Sequence, residues 1–440
     1  MLFNPDLETL ALPKLRKLQS ERLVKLAHYV YERVPFYRQR FDEMGLRPAD
    51  IRSIEDLHRM PFTYKKDLRD HYPFGLFAVP EDELRRIHCS SGTTGKPTVV
   101  GYTAHDLEVF AEVNARSLAA AGGRPGMKLQ NAYGYGLFTG GLGLHAGAER
   151  LGLAVIPVSG GMTDRQLMLL EDFQPELISC TPSYAQTLAE EVARRNISLE
   201  RFNLKYAVLG AEPWTETIRE QVEAGLQVQA TNIYGLSEII GPGVSQEPVE
   251  EKGNGSHVWE DHFFPEIVDP DSGEPLPEGK EGVLVFTTLT KEAFPVLRYW
   301  TNDICSLHYD PNSRRTHIKM NPIKGRADDM LIIRGVNLFH TQVEAVLQDL
   351  PDLAPYYQLI VSREGAMDEV EVLVEVDQQL WEKRTPGGMY DEPFLELQRV
   401  LGKKIKDNIG LSMKVTLQAP GEIPRSEGGK LQRIVDKRNG

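Results

Sequence analysis

Three cysteines in 440 residues, Cys89, Cys180 and Cys305, are too few and too widely spaced for a disulfide framework. They fit a reducing cytoplasm, which is the expected location. No stretch approaches the ~18 consecutive apolar residues of a membrane-spanning helix, so no membrane partner is expected. The opening MLFNPDLETL lacks a basic segment followed by an apolar core, so no secretory signal is expected there. A basic excess is missing too. Lys and Arg number 50 against 63 Asp and Glu, a formal net charge of −13. That argues against a general nucleic-acid binder but leaves small anionic ligands open. Hydrophobic residues at 41% and charged residues at 26% exclude a disordered or fibrous chain. A chain of this length exceeds one compact core and predicts two or three domains.

What is present is organised along the chain. Residues 1–80 read as mostly helical. Leu15, Leu18, Leu23, Leu26 and Val30 recur near a helical period, and Pro35 ends the run. From about 98 to 235, short apolar runs alternate with segments of helical length. The runs are 98–102, 153–158, 177–180, 205–210 and 228–235. This pattern predicts βαβ units and a parallel sheet. Ligands of such sheets bind beyond the carboxyl ends of the strands, so the loops GAEPW (210–214) and YGLSE (234–238) are the places to look. Residues 250–320 are rich in turn residues and read as a β-rich subdomain. After 325–330 the order is strand, helix (341–350), two strands, helix (394–409) and strand (414–418), a small α+β domain. Phe394, Leu397, Leu401, Ile405 and Ile409 share one helix face, and Gly410 ends it. Residues 401–440 carry nine Lys/Arg against four Asp/Glu, an anion-facing region in an acidic chain.

The densest chemistry lies in Ser90-Ser91-Gly92-Thr93-Thr94-Gly95-Lys96-Pro97. Two glycines let backbone N–H groups turn toward one point, ringed by hydroxyls and one ammonium. That suits phosphates. It is not a Walker A loop, because only two residues separate the glycines and Pro97 stands where a magnesium-binding hydroxyl belongs. A P-loop NTPase is disfavoured on that ground.

This loop resembles the phosphate loop of the adenylate-forming superfamily, which includes acyl-coenzyme A synthetases, luciferases and peptide-synthetase adenylation domains. Four further stretches follow in the superfamily's order. Asn232–Glu238 resembles the adenine and magnesium motif, Tyr299–Asp303 the ribose motif, Lys324–Asp329 the hinge, and Pro424–Lys430 the catalytic-lysine loop. Longer stretches, such as AYGYGLFTGGLGLHAGAERLG, HVWEDHFFPEIVDP and FTTLTKEAFPVLRY, resemble bacterial phenylacetate–coenzyme A ligases. The likeness spans almost the whole chain.

The resemblance implies an α/β adenylate-forming fold. A large N-terminal domain (1–327) with parallel-sheet and β-rich subdomains would bind ATP and acid. A small mobile α+β domain (328–440) would rotate about Asp328 between two half-reactions. It implies an aryl acid (phenylacetate or a close relative), ATP, Mg2+ and coenzyme A as the small-molecule partners. The loop Ser90, Ser91, Gly92, Thr93, Thr94, Gly95 and Lys96 would hold the phosphates. Tyr234, with Gly235, would stack on adenine, bordered by Ala211 and Glu212. Asp303 would take the ribose hydroxyls with Arg326 nearby. Glu238 would bind magnesium. Lys430 would reach the carboxylate and the α-phosphate. Arg334 and Gly335 would face coenzyme A. Tyr135, Phe138, Gly210, Ala211 and Ile233 would line the acid pocket, with Tyr133 and Thr139 beside it.

The sequence also departs from the pattern. Trp300 and Asn302 stand where these ligases usually have arginines. The cysteine cluster for zinc seen in some relatives is missing, and a zinc site built from Cys305, His308, His317 and His257 is disfavoured. Two alternatives stand beside the ligase reading: an adenylate-forming enzyme with another acceptor, and a weakly active nucleotide-binding paralogue. A homodimer is left open.

Overall fold

The computed structural model describes residues 1–89, 97–327, 331–333, 336–364, 367–384, 391–425 and 432–438. Its largest sheet is built on the apolar runs read from sequence. Five strands pair in parallel, in the order Ala154–Ile156, Lys128–Asn131, Leu177–Cys180, Tyr206–Gly210 and Gln229–Leu236. Alternate residues face opposite ways. Ile178, Cys180, Ala207 and Leu209 pack with the helices Thr163–Phe173, Pro182–Arg194 and Glu216–Leu226 on one face. Leu177, Val208 and Ile233 pack with Ala104–Ala120 and Thr139–Leu151 on the other. Both faces are covered, as a parallel sheet requires.

The sheet does not stop there. Gly241–Gln246, Ser256–Val258, Lys319–Met320 and Leu307–His308 extend it antiparallel to nine strands. The sequence predicts only the parallel part. Gly241–Gln246 reads GPGVSQ, with Gly241 and Gly243 at φ of 111° and 86°, so no β pattern announces it. A second antiparallel sheet contains Phe263–Val268, Gly282–Thr288, Tyr299–Cys305 and Gly325–Arg326, the β-rich region read from the turn residues.

The N-terminal helix spans Leu12–Arg33 and buries Leu15, Leu23, Leu26 and Val30. Leu18 is half-exposed, and Gln19 is the buried neighbour. The Gln19 side chain donates to the backbone oxygen of Glu260 at 3.0 Å, which satisfies a polar group inside. Pro35 closes this helix and also opens the next, Pro35–Glu43, where its missing N–H costs nothing.

Residues beyond 330 have their own apolar core, including Leu331, Val343, Tyr357, Val372, Leu401 and Val415. Four strands lie in the order Lys414–Gln418, Met367–Val376, Leu353–Glu364 and Ile434–Asp436. The helices His340–Gln348 and Glu392–Ile409 pack on them, and Gly410 caps the second at φ 79°. The α+β order read from the sequence is present, with Ile434–Asp436 as an added parallel strand.

Candidate functional site

The carboxyl end of the parallel sheet meets the second sheet at Tyr234. Its ring lies against Phe286, centroids 6.2 Å apart at 27°. Its hydroxyl donates to Asp303 Oδ2 at 2.5 Å. Asp303 is paired across its own sheet with Arg326, whose Nη1 lies 3.7 Å from Oδ1. A short way along the chain from Tyr234, Glu238 is buried and accepts the Tyr299 hydroxyl on Oε1 at 3.1 Å. The stretches around Tyr234, Glu238, Asp303 and Arg326, separate in the sequence, are thus brought together in one place. Burial and the neighbouring carboxylates push the phenols of Tyr234 and Tyr299 well above their ordinary pKa, so both stay neutral donors.

Two glycines make this junction possible. A Cβ on Gly210 would meet the Ile233 carbonyl oxygen at 2.0 Å. One on Gly235 would meet the Gly241 carbonyl oxygen at 1.9 Å. Backbone cannot yield at such distances, so both positions exclude a side chain. Ala211 follows at φ 70°, a left-handed conformation unusual for alanine, and it is exposed at the strand end. Glu212 next to it accepts the Ser183 backbone N–H at 3.2 Å, which ties this loop to the helix Pro182–Arg194.

Tyr133 is buried, and its hydroxyl has no hydrogen-bond partner among the described residues. Tyr135 is half-buried. Its hydroxyl accepts from Asn131 Nδ2 at 2.8 Å and pairs with His145 Nδ1 at 3.1 Å. Ile233 is buried beside Tyr133 in the same core cluster. Phe138 precedes the helix Thr139–Leu151 and is 52% exposed. Thr139 is buried and shares a 3.2 Å hydroxyl contact with Ser237.

Sequence reading missed a buried cation beside this site. Lys291 is 4% exposed, and its ammonium has no hydrogen-bond partner among the described residues. It sits 5.0 Å from the Tyr102 ring centre and 5.1 Å from that of Phe294. Burial pulls its pKa down to about 8 against the attraction of Asp106 and Glu238. His88 packs edge-on against the same Tyr102 ring, 5.6 Å between centres. Nothing in the pattern of FTTLTKEAF marks that lysine as internal.

Trp300 leans on Phe62 and Tyr64, with centroids 5.2 and 5.8 Å away. Together with Lys65, Lys66 and Asn302 these rings line a cavity of about 610 Å³. Asn302 adopts φ 67°, and its carbonyl accepts the Ala327 N–H at 2.6 Å. Two of the three histidines considered for zinc are engaged elsewhere. His257 contacts the His317 carbonyl at 2.7 Å and Ser313 Oγ at 3.0 Å, and His317 Nε2 contacts the Leu7 carbonyl at 3.0 Å. Among the described residues no cluster of three His, Cys, Asp or Glu is arranged for a metal.

Several residues of interest lie outside the described ones: Ser90 to Lys96, Asp328, Arg334, Gly335 and Lys430. The strands that flank the first of these, Arg86–Cys89 and Val99–Tyr102, are paired antiparallel with Cys89 opposite Val99.

The family model described as "AMP-binding enzyme" matches residues 14–289, and "AMP-binding enzyme C-terminal domain" matches 335–438. The phenylacetate-coenzyme A ligase of Thermus thermophilus is 65% identical over the full length of both chains. A crystal structure of 2-hydroxyisobutyryl-CoA ligase, in the postadenylation state with R3-HIB-AMP, superposes with a TM-score of 0.90 at 28% identity, covering 99% of this chain and 92% of that one. The same ligase with 2-HIB-AMP and CoA in the thioesterification state gives 0.72 at 29% identity with the same coverage.

Proposed function

Because this chain belongs to the AMP-binding enzyme family, we propose that it is an AMP-forming ligase that joins an aromatic acid, phenylacetate or a close relative, to coenzyme A. A carboxylate resists nucleophiles because of its charge. Its oxygen attacks the α-phosphorus of ATP, the bond to the β-phosphate oxygen breaks, and pyrophosphate leaves. The acyl-adenylate is now a mixed anhydride. The thiolate of coenzyme A attacks its carbonyl carbon, and AMP departs.

The first step needs the nucleotide held in line and the developing charge offset. Tyr234, Asp303 and Arg326 are suited to the base and ribose. Ala211 and Glu212 would border the adenine. Ser90 to Lys96 would carry the phosphates, and Lys430 would bridge carboxylate and α-phosphate as a compact ammonium. Glu238 fits a magnesium ion. It is a buried carboxylate with one oxygen committed to Tyr299, and a hard cation there would supply charge neutralisation on the phosphates. Tyr133, Tyr135, Gly210 and Ile233 would enclose the acid, with Phe138 at its mouth. The division into 1–327 and 328–440, with rotation about Asp328 that brings Arg334 and Gly335 to coenzyme A, completes the reading. The Tyr234–Asp303 contact carries it, because it joins the adenine and ribose motifs into one nucleotide cradle.

The test is pyrophosphate release with magnesium-ATP against aryl and aliphatic acids, with and without coenzyme A. Release that needs an aryl acid, with thioester formed, supports the proposal. Pyrophosphate without thioester points to another acceptor. No release with any acid favours the weak paralogue and directs attention to Trp300 and Asn302.

A further inference from the structure

The small domain touches the large one through polar contacts, and one of them involves a residue that also holds Arg425. The strand Leu353–Glu364 pairs regularly with Met367–Val376 except between Leu353 and Tyr357, where four residues advance against two on the partner, from Val376 to Val374. Such an irregularity re-aims side chains. Tyr357 points into the small domain's core, while Tyr356 turns toward the large domain. The Tyr356 hydroxyl donates to Glu190 Oε1 on the helix Pro182–Arg194. The Tyr356 ring also carries Arg425, whose guanidinium carbon lies 3.2 Å from the ring centre.

Arg425 is itself fixed. It makes two bonds to the fully buried Glu375, 2.8 and 2.7 Å, and Glu375 also accepts the Ile423 N–H at 2.7 Å. A paired fork of this kind holds direction as well as distance. Lys430 is five residues further on. A second cross-domain bond, Gln348 Nε2 to Thr215 Oγ1 at 2.6 Å, ends beside the loop of Ala211 and Glu212.

We propose that Glu190, Tyr356 and Arg425 form a latch that selects the adenylation arrangement of the two domains and fixes Arg425 within it. This rests on the ligase reading. A contact made in one arrangement and broken in the other shifts their balance by its own free energy. The domain arrangement here superposes better on the postadenylation state of the related ligase than on its thioesterification state. Tyr356 and Glu190 are therefore positioning residues. Removing their bond lowers the first half-reaction and spares the second.

The experiment uses Tyr356→Phe, Glu190→Ala and their combination in the full chain. Tyr356→Phe keeps the ring under Arg425 and loses only the donor. Acid-dependent ATP–pyrophosphate exchange reads the first half-reaction, and thioester formation from supplied acyl-adenylate reads the second. Each single variant is expected to lower exchange about tenfold, with thioester formation unchanged or faster. The double variant is expected to be no worse than either single, because both remove the same bond. Equal losses in both half-reactions, no change in exchange, or additive effects overturn the latch. A fluorescence pair on the two domains gives an answer without catalysis. Both variants should broaden the interdomain distance distribution. An unchanged distribution overturns the latch whatever acceptor the enzyme uses, whereas failure of wild-type exchange with a broadened distribution overturns only the ligase reading.

Discussion

Tyr234 and Asp303 stand 69 residues apart in sequence and 2.5 Å apart in space, phenol to carboxylate. The contact stitches the end of the parallel sheet to the strand next to the edge of the second sheet, and Arg326 on the edge strand completes the group.

Asp303→Ala leaves the Tyr234 hydroxyl and the Arg326 guanidinium without this acceptor. Hydrogen bonds to a charged group are worth about 1.5–3 kcal/mol. kcat/KM for ATP in the exchange reaction should fall about 10- to 100-fold. Tyr234→Phe removes one donor and leaves Arg326 paired, so its loss should be smaller. Equal losses would mean that Asp303 acts only through Tyr234.

Lys291 should impose a pH dependence on stability. Its pKa is pulled from 10.5 to about 8 in the folded chain. Below about 8 the group is protonated in both states, and the burial cost is present in full. Between about 8 and 10.5 the unfolded chain holds more protons, so stability rises with pH, by up to about 3 kcal/mol. Asp106 and Glu238 are the charges that favour the ammonium. Lys291→Met should remove that rise and stabilise the chain at neutral pH. Urea unfolding of both proteins at about pH 7 and about pH 10 checks it, and parallel pH profiles would rule it out.

Two glycine-to-alanine changes should have opposite signs. Gly210→Ala forces a methyl to 2.0 Å from the Ile233 carbonyl oxygen. It should cost at least about 1–3 kcal/mol and reduce exchange further than the lost stability explains. Gly402→Ala lies inside the helix Glu392–Ile409, and its methyl would meet only Val415 Cγ2 at 3.8 Å. It should stabilise by about 1 kcal/mol. Denaturant midpoints for both decide the matter.

Lys430→Ala should abolish adenylation while thioester formation from supplied acyl-adenylate continues. Stopped-flow assays of the two half-reactions separate them. Equal loss in both would contradict two arrangements of one small domain.

Much of this molecule is written locally. The strands at 177–180 and 206–210 and the helix Glu392–Ile409 follow from apolar spacing alone. The motif order rests on the resemblance to the adenylate-forming superfamily, because each motif is a contiguous run that carries its likeness in its own residues. Tyr234, Glu238, Asp303 and Arg326 stand in the sequence as members of separate motifs, and their contacts with one another and with Tyr299 belong to the fold.

What the tertiary structure alone decided is partnership. The antiparallel extension through Gly241–Gln246, the burial of Lys291, the Tyr299 bond to Glu238 and the turn of Tyr356 toward Glu190 leave no periodic trace. Periodicity records which face of an element is buried, and neighbours three or four residues away suffice to read it. Partner choice between distant segments depends on strand register and packing, where one residue of slip reverses every side chain. That choice is made by the assembled chain as a whole, so only the folded structure displays it.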